Sequence, residues 1–362
     1  MRKRLLFIKS RTASFIELDQ QLLEERYDVH VIHQPGKLSD PRRLLRELLA
    51  ADVIVGWWAS WHTFLPFTLA WLLRKPSLLI VGGFDTAAEP ELHYGYQLGG
   101  LRAHLSRFTM RRARVLMTNS YYSLGEVERN CGIPAGRVHV VYHGVPDEAG
   151  AVDTAGAGAG ARADSSAAAT APPATAPATG EAATAKQPLA LTVGIVDRTN
   201  LARKGLRAFV QAAALAPETQ FVVAGKVVGD AGHELEQIAG ENVRIIGWLE
   251  DDELQSLFAR AGVYVQASLH EGFGVAVAEA MLHRCVPVVT RVGALPEVVG
   301  DTGVIVERPD PALVAAAVRD ALAAAQASPD AGATARQRVL DRFSVDQRRD
   351  GLYTLVELAL RR

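Results

Sequence analysis

Two glutamates eight residues apart, with glycines between them, are the side chains in this sequence best placed to do chemistry. Glu271 precedes Gly272, Phe273 and Gly274, and Glu279 lies in the helix-forming run 275–282. A helix entered through glycines presents unpaired backbone N–H groups and the positive end of its dipole, which suits a phosphate. One carboxylate stands before that helix and the other within it, so the pair would flank the turn and grip hydroxyls on either side of a diphosphate. Earlier in the chain, Arg198 and Lys204 sit in the polar loop that follows the apolar run 189–196. Alone, two such cations read as a solvated basic loop. Beside Glu271 and Gly272 they read as counter-charges for the same diphosphate.

These residues need a scaffold that brings loop ends together, and the pattern around them supplies one. In the second half, apolar strand-like runs at 189–196, 221–224, 243–246, 263–265, 285–289 and from 304 alternate with helix-forming runs at 206–215, 251–261, 275–282 and 310–325. The first half repeats the pattern, with strands at 5–8, 27–33, 53–55, 78–81 and 115–118 and helices at 15–24, with Ser14 as its cap, and 40–50. Strands alternating with helices of about ten residues specify doubly wound parallel sheets with ligands at the carboxyl ends of the strands. Gly225 and Gly247 end two of the strands in the second half, where small residues leave room for a base.

Three strand ends of the first half carry unusual residues. The first is the polar loop Lys9, Ser10, Arg11 and Thr12. The second holds Trp57, Trp58 and Trp61 within five positions, next to His62. Flat aromatic faces beside a histidine suit a sugar or a lipid-linked acceptor, with burial in the core as the competing reading. The third is Gly82-Gly83-Phe84-Asp85, followed by Glu89, Glu91 and His93. Glycines there allow close approach of a ligand, and Asp85 is expected to project into the cleft; an Asx-type turn cap is the alternative.

Composition bounds the rest. At 362 residues, with 49% hydrophobic and 22% charged residues and a net charge of -1, the chain fits two globular domains and shows nothing global that favours nucleic acid. Residues 1–150 carry 19 Lys/Arg against 15 Asp/Glu and the remainder 20 against 25, a mildly basic first half that would suit an anionic acceptor or an anionic lipid surface. Cys131 and Cys285 have no metal-like spacing and read as reduced core thiols of a cytoplasmic protein. The first ten residues are too short in apolar character for a signal peptide, and the apolar stretch 63–83, broken by Pro66, Arg74, Lys75 and Pro76, reads as a helix followed by a strand. Residues 149–187 are almost entirely Ala, Gly, Thr, Pro and Ser, with no aromatic side chain, and are expected to form a disordered insertion.

The run Glu271-Gly272-Phe273-Gly274, Glu279-Ala280-Met281, Pro287-Val288-Val289, Gly293 and Pro296-Glu297 resembles the signature of the retaining, nucleotide-sugar-dependent glycosyltransferases of the family 4 type. The resemblance implies a GT-B architecture of two Rossmann-like domains facing a cleft: an acceptor domain over 1–148, a nucleotide-sugar domain over 188–341, and a terminal helix over 342–362 that crosses back to the first. It implies transfer of a hexose from a nucleotide diphosphate sugar to an acceptor hydroxyl with retention. The donor is a substrate, and neither a separate cofactor nor a metal is implied. By the same resemblance Arg198 and Lys204 hold the donor phosphates, the Gly272-Phe273-Gly274 turn borders them, Glu271 meets the sugar hydroxyls, Glu279 the ribose, Trp248 and its neighbours the nucleobase, and Asp85 the acceptor. His143 stands where the family has asparagine, and Arg284 where glycine is common, a strained position if its backbone needs a positive φ. The acceptor would be a glycan, a lipid-linked molecule or a small molecule, with peripheral contact at an anionic inner membrane face. Two other readings fit the same residues: another GT-B enzyme, such as a nucleotide-sugar epimerase or an inverting transferase, and a non-catalytic nucleotide-sugar binding module.

Overall fold

The computed structural model describes residues 2–36, 40–150, 186–328 and 330–361. Most of the predicted insertion lies outside the described residues.

The first half folds as β1 (Arg4–Lys9), α1 (Ser14–Arg26), β2 (Asp28–His33), α2 (Pro41–Ala50), β3 (Val53–Trp57), α3 (Trp61–Leu72), β4 (Ser77–Val81), α4 (Gly100–Arg112), β5 (Val115–Thr118), α5 (Tyr121–Cys131) and β6 (Val138–Val140). Its strands pair in parallel in the order β2-β1-β3-β4-β5-β6. Such a sheet is covered by helices on both faces, which is why β3 and β4 are apolar and buried along their whole length. Ser14 proves to be the first helical residue of α1; Ala13 precedes it as cap, with no side-chain bond.

The second half runs β7 (Gln187–Val193), α6 (Arg198–Arg203), α7 (Leu206–Ala213), β8 (Gln220–Ala224), α8 (Ala231–Ile238), β9 (Val243–Ile246), α9 (Asp251–Arg260), β10 (Ala261–Gln266), α10 (Val275–Leu282), β11 (Val286–Thr290), α11 (Leu295–Val299), β12 (Val304–Val306) and α12 (Pro311–Ala327). Its sheet is ordered β12-β11-β10-β7-β8-β9, so the chain reverses its direction of winding between β7 and β10. In the first sheet the reversal falls between β1 and β3. Loops leaving neighbouring strands at such points diverge and open a crevice, so the two sheets offer two crevices.

After α13 (Asp330–Arg342), α14 (Val345–Arg361) returns to the first sheet, where Leu352, Leu355, Val356 and Ala359 share a core with Leu5, Phe7, Val55 and Ile80. The crossing is fixed by a buried ion pair: Arg348 donates to both oxygens of Asp19 at 2.7 and 2.6 Å, and Asp19 also accepts the Trp57 indole N–H at 3.0 Å. Both cysteines are free and buried.

Candidate functional site

The β7/β10 crevice brings Lys204 and Glu271 together. Asp197 caps α6 by accepting the Asn200 N–H at 2.7 Å. Gly205 then turns the chain at φ 66°, where any Cβ would lie 1.8 Å from the Ala267 carbonyl oxygen, so α7 can start against the end of β10 only through a glycine. This geometry places the Lys204 stem over Gly194, whose added Cβ would sit 3.0 Å from Lys204 Cδ. The Lys204 ammonium reaches 3.5 Å from Glu271 Oε2.

Glu271 is pinned by its backbone. Its carbonyl accepts the Ala294 N–H at 2.9 Å, and Gly293, at φ 61°, comes so close that a Cβ would lie 2.1 Å from the same oxygen. The carboxylate is left free of turn-building duty, and its buried Oε2 accepts no hydrogen bond among the described residues. Burial pushes the carboxyl up, but Lys204, Arg203 and His270 together outweigh burial and hold it below the usual carboxylate range.

Gly274, at φ 102°, starts α10, and no side chain caps that helix. Glu279 lines a pocket of 70 Å³ together with Ser14, Phe15 and Gly144 of the first half and Gln255 and His283 of the second. Burial, reinforced by Glu148 and Asp251, raises its carboxyl to about 7. An acid in a pocket whose charge nothing nearby compensates is suited to a ligand's hydroxyls.

Other expected residues sit differently. Arg198 turns outward and forks onto Asp230 on the surface, so the two cations do not converge in this structure. Gly225 serves the sheet, since at φ 139° a Cβ would meet the Gly194 carbonyl oxygen at 2.2 Å. Gly247 faces open space and Trp248 is 68% exposed beside it. The Phe273 ring is buried against Tyr142, His143 and Phe343, so only its backbone can border a ligand. Arg284 does adopt a positive φ of 62°.

The first-half strand ends are built mostly for structure. Asp85 does not project into the cleft: it is buried, and its two oxygens accept the Ala59 N–H at 2.8 Å and the Gly82 N–H at 2.9 Å, tying the loops after β3 and β4 together. Burial nonetheless raises its carboxyl to about 7, against the pull of those bonds. His62 is buried, donates from Nε2 to the Trp57 carbonyl at 2.7 Å and is pushed down to about 4, so it stays neutral. Trp57 is a core residue, whereas Trp61 is 51% exposed. Trp58 remains at the β1/β3 crevice with φ 61°, an uncommon backbone for an aromatic residue, and Arg11 lies 4.1 Å above its ring. His93 is exposed.

The two halves touch through residues of those motifs and through Ser120, Glu126 and His270, which motif reading passed over. Gly272 lies so close to Gly83 that a Cβ would come within 3.3 Å of it, and the Gly272 carbonyl accepts the Ser120 hydroxyl at 2.8 Å. Glu297 of α11 accepts the Tyr121 and Tyr122 N–H groups at 2.9 and 2.6 Å, so the second domain caps α5 of the first. His270 Nε2 lies 2.9 Å from Glu126 Oε1, both fully buried, and Glu126 also accepts the Thr86 hydroxyl at 2.8 Å. Glu89 joins them within 4.8 Å. The available signal was an acid on the buried stripe of α5, beside Ser123, Val127 and Cys131. His143 is buried and neutral, accepts the Asn119 amide at 2.8 Å, stacks on Trp57 of the first half and meets Phe273 of the second edge-on. Arg203 lies 4.9 Å over the Tyr94 ring and donates to the His270 carbonyl.

Comparison with known proteins agrees with this architecture. Residues 8–149 match the family model described as Glycosyltransferase Family 4, and residues 187–324 match the one described as Glycosyl transferases group 1. The chain is 32% identical over 145 residues to O-antigen chain mannosyltransferase B of Escherichia coli, covering 38% of this chain and 37% of that protein. It is 28% identical over 141 residues to a subunit of the phosphatidylinositol N-acetylglucosaminyltransferase of Arabidopsis thaliana, covering 36% and 31%. The matched stretches thus span about a third of these relatives' length. Solved structures match throughout: Anabaena HepE in complex with UDP and glucose has a TM-score of 0.69 at 17% identity, covering 99% of this chain and 100% of that one. Sucrose-phosphate synthase from Thermosynechococcus elongatus has a TM-score of 0.71 at 18% identity, covering 99% of each. With one family model on each sheet and a fold shared along its whole length, the chain belongs to the family 4 type glycosyltransferases and has their two-domain GT-B architecture.

Proposed function

We propose that this protein moves a hexose from a nucleotide diphosphate sugar to an acceptor hydroxyl with retained anomeric configuration. The observation that carries the reading is the Lys204–Glu271 pair, 3.5 Å apart at the β7/β10 crevice and beside the uncapped start of α10. The chemical task is to stabilise the charge that develops on a departing nucleoside diphosphate. A fixed ammonium and a helix N-terminus aimed at that charge do so without reorganising during the reaction. Glu271 would hold sugar hydroxyls and Glu279 the ribose, with Trp248 beside the nucleobase. Arg198 would join the phosphates by leaving Asp230.

The 70 Å³ pocket at Glu279 is smaller than the roughly 300 Å³ of ordinary small-molecule sites, so the donor would enter with the halves parted and be enclosed as they meet. The contacts from Ser120, Glu126 and Glu297 describe what closure would form. The domain limits follow the same logic, an acceptor domain over 1–148 and a donor domain over 188–341. UDP, present in the HepE complex, is the first nucleotide to try. On the acceptor side the exposed Arg11, seated over the mostly buried Trp58 ring, replaces Asp85 as the residue available in the crevice, and a cationic crevice suits an anionic glycan or lipid-linked acceptor at an inner membrane face.

The test is slow donor hydrolysis across a panel of nucleotide diphosphate sugars, followed by transfer to acceptor extracts and determination of the product anomer. Release of one nucleoside diphosphate and an anomer matching the donor is the expected outcome. Release from no donor, or an inverted product, would overturn the reading.

A further inference from the structure

The helices α3 and α4 lie side by side on one face of the first sheet, and their outward surface is both apolar and basic. Along α3, Trp61, Leu65 and Leu72 fall at helical spacing on the exposed side, with Leu72 62% exposed; on α4, Leu101 is 66% exposed. Between the helices Phe64 and Phe108, tilted against each other, line an open hollow of 470 Å³ with Arg111 and Arg112; Trp71 meets Phe108 edge to face, and Arg112 lies 4.0 Å over the Trp71 ring. Residues 61–76 and 96–114 contain seven Lys/Arg and no Asp or Glu, in a chain whose net charge is -1. None of the seven forms an ion pair among the described residues. Where they do hydrogen-bond, as Lys75 does to Leu49 and Ala51 and Arg111 to Cys131, they donate to neutral oxygens. Their charge is uncompensated.

From this surface we infer that the α3–α4 face docks on an anionic lipid bilayer. A nucleic acid or an acidic protein would answer the charge but not the row of bare leucines and tryptophan. A headgroup layer answers both: the apolar side chains enter the acyl boundary while the arginines stay at phosphate depth. The face runs from Trp61, at the start of α3 beside the Trp58 crevice, to Arg74 and Arg112 at the far ends of the two helices. Docking there would set the first-domain crevice at the membrane edge. The inference rests on the membrane-side acceptor reading above and gives it a surface, but its test needs neither donor nor acceptor.

The full chain is sedimented with vesicles of phosphatidylcholine alone and of phosphatidylcholine and phosphatidylglycerol in equal parts. Partition should favour the anionic vesicles and fall as salt rises. Arg74→Glu with Arg112→Glu, both exposed, should weaken it by more than about 25-fold, since each base near such a surface is worth roughly fivefold. Leu72→Ser with Leu101→Ser should weaken it at unchanged charge, and equal melting temperatures would show that both variants fold. Wild-type protein that stays in the supernatant, or charge reversals without effect, would overturn the inference. So would binding to a soluble polyanion that survives the leucine changes. Vesicle binding without any sugar transfer would defeat the proposed activity and leave this surface standing.

Discussion

Two acids stand at comparable strand ends in the two halves, and the protein treats them in opposite ways. Asp85, after β4, is reached back upon by its own turn: Gly82 and Ala59 donate to its two oxygens, so the side chain does the work of holding loops together. Glu271, after β10, leaves that work to its backbone, which Gly293 and Ala294 clasp, and its carboxylate faces Lys204 instead. Glu279 goes further, with a carboxyl raised to about 7 in a pocket and no side-chain hydrogen bond or ion pair among the described residues to account for its presence. An acid after a strand is therefore not in itself a functional sign. What separates the two cases is whether nearby N–H groups already occupy the oxygens.

Lys204→Ala should break the donor side of this comparison most severely, lowering kcat/KM about a hundredfold, roughly 3 kcal/mol, with little change in melting temperature. Arg198→Ala, whose side chain rests on Asp230 at the surface, should lose less. Equal losses in steady-state assays would show that both cations act together at the phosphates. Asp85→Asn should instead destabilise by about 2 kcal/mol, because an amide N–H₂ must then face one of the two backbone donors. A melt unchanged from wild type would contradict that structural role.

Neutralising Glu279 gives the opposite sign. Its folded-state carboxyl is raised to about 7, above the value of an unfolded glutamate, so the ordinary state favours protonation. Stability is unaffected below about pH 4, falls as pH rises toward 7, and remains lower above it. Glu279→Gln should thus be neutral near pH 4 and stabilising by roughly 1–2 kcal/mol near pH 8, measured by denaturant unfolding at both. The smallest effect expected is at Glu297→Ala, which uncaps α5 across the interface: about 1 kcal/mol of stability, read as a shift in unfolding midpoint.

Much of the fold was legible because parallel sheets write themselves as apolar runs separated by helices, and β5, β9 and α10 fall at their expected bounds. The turns of the β7/β10 crevice were legible because their glycines are demanded by contacts that no Cβ could survive, at Gly205 and Gly293 above all. The strand ends of the first half were not, because Trp57, His62 and Asp85 are residue types that serve a core or a turn as readily as a ligand, and only three-dimensional contacts reveal which. The interface was hidden for a different reason: Glu126 and His270, or Asp19 and Arg348, are pairs distant in sequence, and neither partner alone marks the other.

If Glu279 and Lys204 hold a nucleotide while Asp85 holds the fold, calorimetric titration of UDP, or of whichever nucleoside diphosphate the hydrolysis panel selects, into wild-type protein, Glu279→Ala and Asp85→Asn should separate the two variants. Glu279→Ala should bind with a Kd about tenfold weaker, close to 1.4 kcal/mol, with its melting temperature retained, and Asp85→Asn with an unchanged Kd at temperatures where it stays folded. An unchanged Kd in Glu279→Ala, or a weakened one in folded Asp85→Asn, would contradict that division of roles.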